Sequence, residues 1–296
     1  MAMVNSKDLY GGFLLKKGDN DKRKIWAGKK HKVAATHVTD LQEDLKAVGV
    51  YTSKIDGGFG NLTVDALKRF KWNAKNIKRR LKNKNIVCAP KRFTGVINGL
   101  VDVNTKKELS AWRMKNHKAT GDLIRIKELE FTNIRIGTGF RKIPHPCISD
   151  DDIVVSSVLL EYLVHADNKA KELSLMLNFN NAMRVSGVKI SGAVVKPAGR
   201  SQHLIGHAID CNIIDGNNWN SKKTFESKKE TKNARQFVKA MKANGMRWGG
   251  DFKDKKKFDP PHFDKNLYAY SKDFEYKYYF NQRVVTEKHA IPLVSW

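Results

Sequence analysis

The chain has 296 residues, of which 41% are hydrophobic, 9% aromatic and 29% charged. This length exceeds a typical domain of about 100–200 residues and predicts two domains, and the composition excludes a disordered chain. The 56 Lys and Arg against 30 Asp and Glu give a net charge of +26, which favours anionic partners. The basic residues are spread along the whole chain without an aromatic RNA-binding signature or zinc-finger spacing, so we expect no nucleic-acid partner.

The cysteines and the N-terminal segment narrow the class further. Cys88, Cys147 and Cys211 stand far apart without a Cys-x-x-Cys pair, which indicates reduced thiols rather than a disulfide framework or a cysteine zinc site. Residues 1–35 form a Gly- and Lys-rich leader arm whose only apolar stretch is Phe13–Leu15. We therefore expect no signal peptide, and no stretch reaches the roughly 20 apolar residues of a transmembrane helix.

A helix, a glycine loop and a second helix follow the arm. Leu41, Leu45 and Val48 recur at helical spacing, Ile55–Gly60 forms turns, and Thr63–Phe70 again has helical spacing. The basic stretch from Lys78 to Arg92 looks inserted, and the segment from Asn98, with Thr105 and Leu109, predicts a closing helix. Residues 36–116 thus form a small all-α domain of three helices.

The loop and its two helices resemble the peptidoglycan-binding domain found on many wall hydrolases. Its pattern of Leu-Gln, Gly, Asp-Gly-x-Phe-Gly and Thr-x-x-Ala is matched here, and the resemblance implies wall binding by Asp56, Gly57, Phe59 and Gly60. The alternative is a small helical domain without affinity for the wall.

The rest of the chain predicts an α+β domain. Residues 117–149 form a linker with the first strands, at Leu123–Ile126 and Phe131–Ile136, and residues 150–296 form the second domain. Ile153–Asn178 predicts one or two helices, and strands are expected around Val185, Ile190, Ile209 and Ile213.

Two segments of this domain carry potential metal chemistry. Ser201–Asp210 supplies His203 and Asp210, and the later Asp259-Pro-Pro-His segment supplies His262. Two His and one carboxylate are an established ligand set for catalytic zinc, which keeps its fourth position for water. The two prolines predict polyproline II geometry, which would place Asp259 on the same side as His262, where it could act as a base.

Together the two segments resemble the zinc D-Ala-D-Ala metallopeptidase family of the VanY and phage-endolysin type. Its motif of Ser-x-His-x-x-Gly-x-Ala-x-Asp, with a later carboxylate-x-x-His, is matched throughout, and Gly245–Asp251 is similar to the family's glycine-tryptophan segment. The resemblance implies a small antiparallel sheet with flanking helices and one Zn²⁺ per chain, held by His203, Asp210 and His262. It also implies that Asp259 is the general base and acid, and that the substrate is a wall peptide containing D-amino acids.

One departure concerns the substrate-binding cation. The family commonly carries Ser-Gly-Tyr-Arg before the first ligand, where this chain has Ser186-Gly-Val-Lys189. Lys189 could replace the Arg as a catalytic cation, or Arg184 or Arg200 could fold into its place. Ser201 is expected to bind substrate or position the loop rather than act as a nucleophile. The remaining candidates for a ligand are expected to have a surface or structural role; they are His207, His145 and His165.

These features predict a zinc-dependent peptidoglycan peptidase. An endopeptidase that cuts L-Ala-D-Glu bonds or D,D-crosslinks is favoured, because wall lysis requires strands to be separated. The alternatives are a D,D-carboxypeptidase that trims terminal D-Ala and a non-catalytic wall-binding structural protein. A phage endolysin or an injected antibacterial effector, made in the cytoplasm and acting in the periplasm or at the wall, fits the absence of a signal peptide. Such a protein could have an immunity protein, or a secretion or phage-tail component, as a partner.

Overall fold

A computed structural model describes residues 9–76, 93–188 and 199–295. The basic stretch predicted as an insertion, together with Cys88, Lys189 and Ile190, lies outside these residues. The described chain divides into two compact units, the first ending at Thr120 and the second beginning at Gly121. None of the described helices is long and apolar enough to cross a membrane.

The N-terminal unit is built on three helices, which confirms the predicted all-α domain. They are α1 (His37–Ala47), α2 (Asn61–Asn76) and α3 (Val103–Met114). The predicted closing helix is α3, and it begins where the Asp102 carboxylate accepts a hydrogen bond of 2.8 Å from the Thr105 amide. The apolar side chains at helical spacing form the core, with Leu41, Leu45 and Phe70 buried.

The described part of the leader arm packs within this unit. It contains a short hairpin of β1 (Ile25–Trp26) and β2 (Lys29–Lys30), and Trp26 is buried. Asp21 accepts hydrogen bonds from the amides of Val38, at 3.0 Å, and Thr39, at 2.8 Å, in the first turn of α1. The arm therefore caps a helix whose own N-cap residue makes no side-chain cap bond.

The glycine loop between α1 and α2 is organised by the fully buried side chain of Gln42. Its carbonyl oxygen accepts hydrogen bonds from the amides of Asp56 and Gly57, both at 3.0 Å, and its amide nitrogen donates to the Asp56 carboxylate at 2.9 Å. Gly57 has φ +71°, a conformation that favours glycine, and Phe59 is buried. The loop pattern thus has a structural explanation within the domain, and wall contact by Asp56, Gly57, Phe59 and Gly60 stays a prediction.

The C-terminal unit is the predicted α+β domain. Its main sheet has the order β4 (Ile134–Ile136), β6 (Leu175–Asn181), β7 (Ala208–Asp215), β10 (His262–Asp264) and β9 (Arg247–Trp248). A further strand, β8 (Asn218–Asn220), pairs with the C-terminal end of β7. A second sheet has the order β11 (Leu293–Val294), β3 (Leu123–Lys127) and β5 (Asp152–Ser156). The pairs β4–β6 and β11–β3 are parallel and the others antiparallel, so each sheet is mixed rather than purely antiparallel.

Helices flank the sheets. They are α4 (Leu160–Glu172), α5 (Lys222–Glu226), α6 (Lys232–Ala243) and α7 (Lys272–Thr286). The core between them includes Leu163 of α4, Phe237 of α6 and Phe179 of β6, all fully buried.

The predicted helical region is only partly helical. Its middle forms α4, but Ile153–Val155 and Leu175–Asn178 lie in strands β5 and β6, so the prediction of helix there was wrong. A strand that is buried on both faces reads as a continuous apolar run, and periodicity cannot distinguish it from a helix. Val185, predicted as a strand, lies outside the strands of the described chain.

Candidate metal centre and active site

Three predicted ligands from separate elements meet at one point. His203 lies in a short 3-10 helix (Gln202–Ile205), Asp210 on β7 and His262 on β10. The antiparallel register places His262 directly opposite Asp210. His203 Nε2 lies 3.1 Å from Asp210 Oδ1 and 3.1 Å from His262 Nδ1, and all three ligand atoms lie within 4.8 Å of one another.

Each ligand is oriented by a hydrogen bond on its far side. The carbonyl oxygen of Ala182 accepts from His203 Nδ1 at 2.6 Å, and the Asp264 carboxylate accepts from His262 Nε2 at 2.8 Å. Because both acceptors fix the proton on the far nitrogen, the nitrogen that faces the cluster keeps its lone pair. Asn181 donates to Asp210 Oδ2 at 3.1 Å and leaves Oδ1 toward the histidines. Two nitrogens and one carboxylate oxygen with such support fit a zinc ion.

Electrostatics favour positive charge at this point. Burial alone would raise the pKa of Asp210, but His203 and His262 beside it hold that pKa well below its usual value. Burial alone would lower the pKa of His262, but hydrogen bonds to Asp210 and Asp264 raise it to about 9. The cluster therefore stabilises a cation, whether that cation is a proton or a metal ion.

The predicted base lies beside the ligands on a tight turn. The His262 amide donates to the Asp259 carbonyl at 2.9 Å, which closes a β-turn with the two prolines at its centre. The prediction of polyproline II geometry was wrong, because proline at the first central position is equally suited to a turn. Burial raises the pKa of the half-buried Asp259 carboxyl, and the negative charge of Asp210 raises it further. Such a carboxyl exchanges its proton closer to neutral pH than an exposed one.

The glycine-tryptophan segment holds this turn in place. Trp248 Nε1 donates to the Pro260 carbonyl at 2.7 Å, and the Asp259 amide donates to the Gly249 carbonyl at 3.1 Å. A Cβ atom at Gly249 would collide with the Asp259 carbonyl oxygen and lie 2.9 Å from His262 Cβ. At position 249 only glycine therefore allows the close approach that places Asp259 beside His262.

A cavity of about 820 Å³ opens over the cluster. Its walls include Asp259 and all three predicted substrate-binding residues, Ser201, Arg184 and Arg200. Lys189, the other predicted catalytic residue, lies outside the described residues.

The three substrate-binding candidates differ in how they are held. Ser201 caps the 3-10 helix by accepting from the His203 amide at 3.4 Å, and substrate binding by Ser201 stays a prediction. Arg200 is exposed, donates to the Ala269 carbonyl at 2.9 Å and lies over the Tyr270 ring. Arg184 is half-buried, and its Nε is buried without a hydrogen-bond partner in the described chain. Arg184 is thus the cation with unused donor capacity next to the ligands.

The remaining histidine candidates lie elsewhere. His207 is buried beside the Lys265 carbonyl, 3.1 Å from its Nδ1, and burial lowers its pKa to about 4. His145 accepts from the Cys147 amide at 3.2 Å, and His165 lies on α4. Among the described residues, only His203, Asp210 and His262 form a group able to hold a metal.

The sequence analysis missed the outer partners of the ligands. Asp264 is fully buried and forms a two-point ion pair with Arg247, at 3.0 and 2.6 Å, while it accepts from His262. A signal was available, because His262 and Asp264 are two residues apart and two-residue spacing places them on one face of a strand. Asn181 had no such signal.

Parts of this chain are similar to known protein families and to a solved structure. Residues 195–265 match the family model described as D-alanyl-D-alanine carboxypeptidase, and residues 35–86 match the model described as putative peptidoglycan binding domain. The crystal structure of Serratia marcescens L-Ala D-Glu endopeptidase ChiX is similar to this chain at 21% identity. That match covers 35% of this chain and 77% of the other, with a TM-score of 0.25. A search of curated proteins gave no significant match.

The fold and the site define a peptidase of the metallopeptidase class. Residues 195–265 are similar to the D-alanyl-D-alanine carboxypeptidase family, and residues 35–86 before them are similar to a peptidoglycan-binding domain. The chain is therefore a peptidase that acts on peptidoglycan.

Proposed function

We propose that the C-terminal domain binds one zinc ion and hydrolyses a stem or crosslink peptide bond of peptidoglycan. The observation that carries this proposal is the cluster of His203, Asp210 and His262, whose ligand atoms lie within 4.8 Å of one another beside a large cavity. When bound, zinc would lower the pKa of a water molecule to about 7 and polarise the scissile carbonyl.

Asp259 moves the proton in this proposal. Its carboxylate accepts the proton of the attacking water and then returns it to the amine that leaves. The raised pKa of Asp259 makes its carboxylate a better base for the first step. It also brings the group closer to neutral pH, where a carboxyl can both accept and donate a proton. Arg184 takes the role of the family's cation, because this residue lines the cavity over the cluster and its Nε has no hydrogen-bond partner in the described chain.

We propose an endopeptidase, which cuts an L-Ala-D-Glu bond or a D,D-crosslink. A cavity of about 820 Å³ is near the upper end of ligand cavities, and this volume favours a substrate that is longer than one terminal residue. A D,D-carboxypeptidase is the second candidate, and similarity to the D-alanyl-D-alanine carboxypeptidase family favours it.

The N-terminal domain would hold the enzyme on its substrate. Binding to the wall raises the effective concentration of scissile bonds without any new catalytic contact. The net charge of +26 adds attraction to an anionic envelope. We propose that the protein serves as an endolysin or an antibacterial effector that reaches the wall by holin-type release or injection. A secretion or phage-tail component, or an immunity protein, would then be its partner.

The test is digestion of purified sacculi, with the released peptides identified by mass spectrometry. We expect wild type to release new peptide ends, chelation to abolish the release, and added Zn²⁺ to restore it. Asp259→Asn should lose at least about 100-fold in rate, as expected for loss of a general base. Asp150→Asn is the matched control, because this carboxylate is 88% exposed and does not line the cavity.

The peptide ends distinguish the candidates. Release of free D-Ala alone would identify the carboxypeptidase, and new ends within the stem or crosslink would identify the endopeptidase. Intact sacculi that still retain the zinc-loaded protein would refute catalysis and leave a wall-binding protein.

A further inference from the structure

The cavity over the metal cluster is strongly basic. Seven basic side chains and three carboxylates line it. Two of these carboxylates are already engaged, Asp210 by the two histidines and Asp264 by its two-point ion pair with Arg247. Of the lining carboxylates only Asp259 is left for the remaining lining cations. Three of these cations pair with carboxylates outside the lining, Arg200 with Glu275, Lys222 with Glu226 and Lys257 with Asp254. The walls are therefore complementary to an anionic ligand.

Two arginines are concentrated on one wall. Arg141 is half-buried on the loop after β4, and its amide donates to the Asn180 carbonyl at 3.2 Å, near the end of β6. Arg184 follows β6 and has its Nε buried without a hydrogen-bond partner in the described chain. Burial lowers the pKa of Arg184; Asp210 and Asp259 act against this, and the positive charge of Arg141 lowers it further. The two guanidinium groups thus repel each other in a partly desolvated wall, and an anion bound beside both would reduce that repulsion.

A further cation lies near Asp259. The Lys222 side chain is 21% exposed at the start of α5 and lines the cavity. Its only described acidic partner is Glu226, with the two charged atoms 3.6 Å apart. A substrate over the metal cluster therefore meets positive charge at more than one point of the wall.

We propose that Arg141, together with Arg184, binds a side carboxylate of the stem peptide, so that the enzyme selects stems with free carboxylates over amidated stems. The inference rests on the proposed function and names its substrate class. A carboxamide has nearly the shape of a carboxylate, but it lacks the charge and directs an NH₂ group at a wall of donors. Amidation therefore tests charge recognition without changing the fit.

Binding is measured by calorimetry on zinc-loaded Asp259→Asn, which prevents turnover. The ligands are the tetrapeptide L-Ala–γ-D-Glu–diaminopimelate–D-Ala and two forms of it, one amidated at D-Glu and the other at diaminopimelate. We expect the free acid to bind roughly ten- to hundredfold more tightly than the peptide that is amidated at the recognised carboxylate, as for loss of a charge-assisted hydrogen bond. Adding Arg141→Gln should reduce that ratio to about twofold or less by weakening the acid alone.

Lys239→Gln is the matched control. This lysine is exposed on α6 and does not line the cavity, so its removal changes the net charge equally and should leave the ratio unchanged. Thermal melting of each variant checks that the fold is retained. Equal binding of acid and amidated peptides would overturn the inference, and so would an acid preference that survives Arg141→Gln.

Hydrolysis is scored separately. If wild type cleaves acid and amidated sacculi at the same rate, the proposed function holds and the selectivity is refuted. If nothing is cleaved while the acid preference in binding depends on Arg141, the proposed catalysis fails and the anion site stands.

Discussion

Replacement of Asp264 by Asn tests whether the support behind His262 sets the metal affinity. Asp264 is fully buried, accepts from His262 Nε2 at 2.8 Å and is held by Arg247 at 3.0 and 2.6 Å. Asn has the same shape, and its oxygen can still accept from the ring. The change therefore removes a negative charge and leaves the packing in place.

The expected loss is ten- to hundredfold in zinc affinity, or about 1.4–2.8 kcal/mol. The carboxylate makes the ring a better donor to the metal and balances part of the cation's charge, and the amide does neither. The free energy of unfolding should fall by only about 1 kcal/mol, because solvent screens the Arg247 side chain, which is 44% exposed. A fully buried pair would cost several times more.

The assay is competition for Zn²⁺ with a chelating dye, followed by thermal melting of the apo and zinc-loaded forms. Arg247→Gln is the matched control, since it removes the same ion pair but leaves the carboxylate on His262, and it should weaken zinc binding several-fold less. Equal zinc affinity in wild type and Asp264→Asn would refute the reasoning. Equal losses in both variants would show that the ion pair, rather than the contact with the ring, is what matters.

Three further changes test other parts of the molecule. Gly249→Ala should lower the rate at least tenfold with little change in zinc affinity, because the new Cβ displaces the Asp259 turn; peptide release and zinc titration together check this. Gln42→Met should lower the free energy of unfolding of the N-terminal unit by about 2–3 kcal/mol, because the amides of Asp56 and Gly57 lose their acceptor. It should also reduce retention of the protein on sacculi. Thermal melting measures the stability, and sedimentation with sacculi measures the retention. For His207, burial places the folded pKa at about 4, below the usual 6.5, so the unfolded chain takes up this proton first. Its contribution is present above pH 6.5 and is lost as the pH falls toward 4, by up to about 3 kcal/mol, and the acid destabilisation seen in urea unfolding should be smaller in His207→Gln.

The ligands of the site could be predicted because they are written as local patterns. The first segment places His203 and Asp210 seven residues apart around Gly206, whose φ of +71° closes the turn between the 3-10 helix and β7. A Cβ atom at Gly206 would lie 2.6 Å from the Ser156 amide nitrogen, so the motif glycine has a steric reason. Such constraints act over a few residues, so they can be recognised in the sequence.

The long-range parts of the fold could not be predicted equally well from the sequence. Ile153–Val155 is buried on both faces of β5 and was assigned to a helix, since neither period distinguishes a continuous apolar run. The Arg141 loop and the end of β6 are brought together by the parallel β4–β6 pair, whose paired residues are more than 40 positions apart, and by the bond from the Arg141 amide to the Asn180 carbonyl. No local pattern predicts that Arg141 and Arg184 line the same wall.

The pairing of β7 with β10 explains why so short a strand can complete the site. His262 lies opposite Asp210, and Asp264, two residues on, lies on the same face behind the ring. A slip of one residue would turn both side chains to the opposite face, so the register must be fixed. Two features oppose such a slip. The Asp259 turn fixes the start of β10, and pairing of Phe263 with Trp248 of the neighbouring strand β9 fixes its middle. The same turn carries the proposed base, so the contacts that set the strand register also set the distance between Asp259 and His262. A substitution in the turn should therefore alter both the register and this distance.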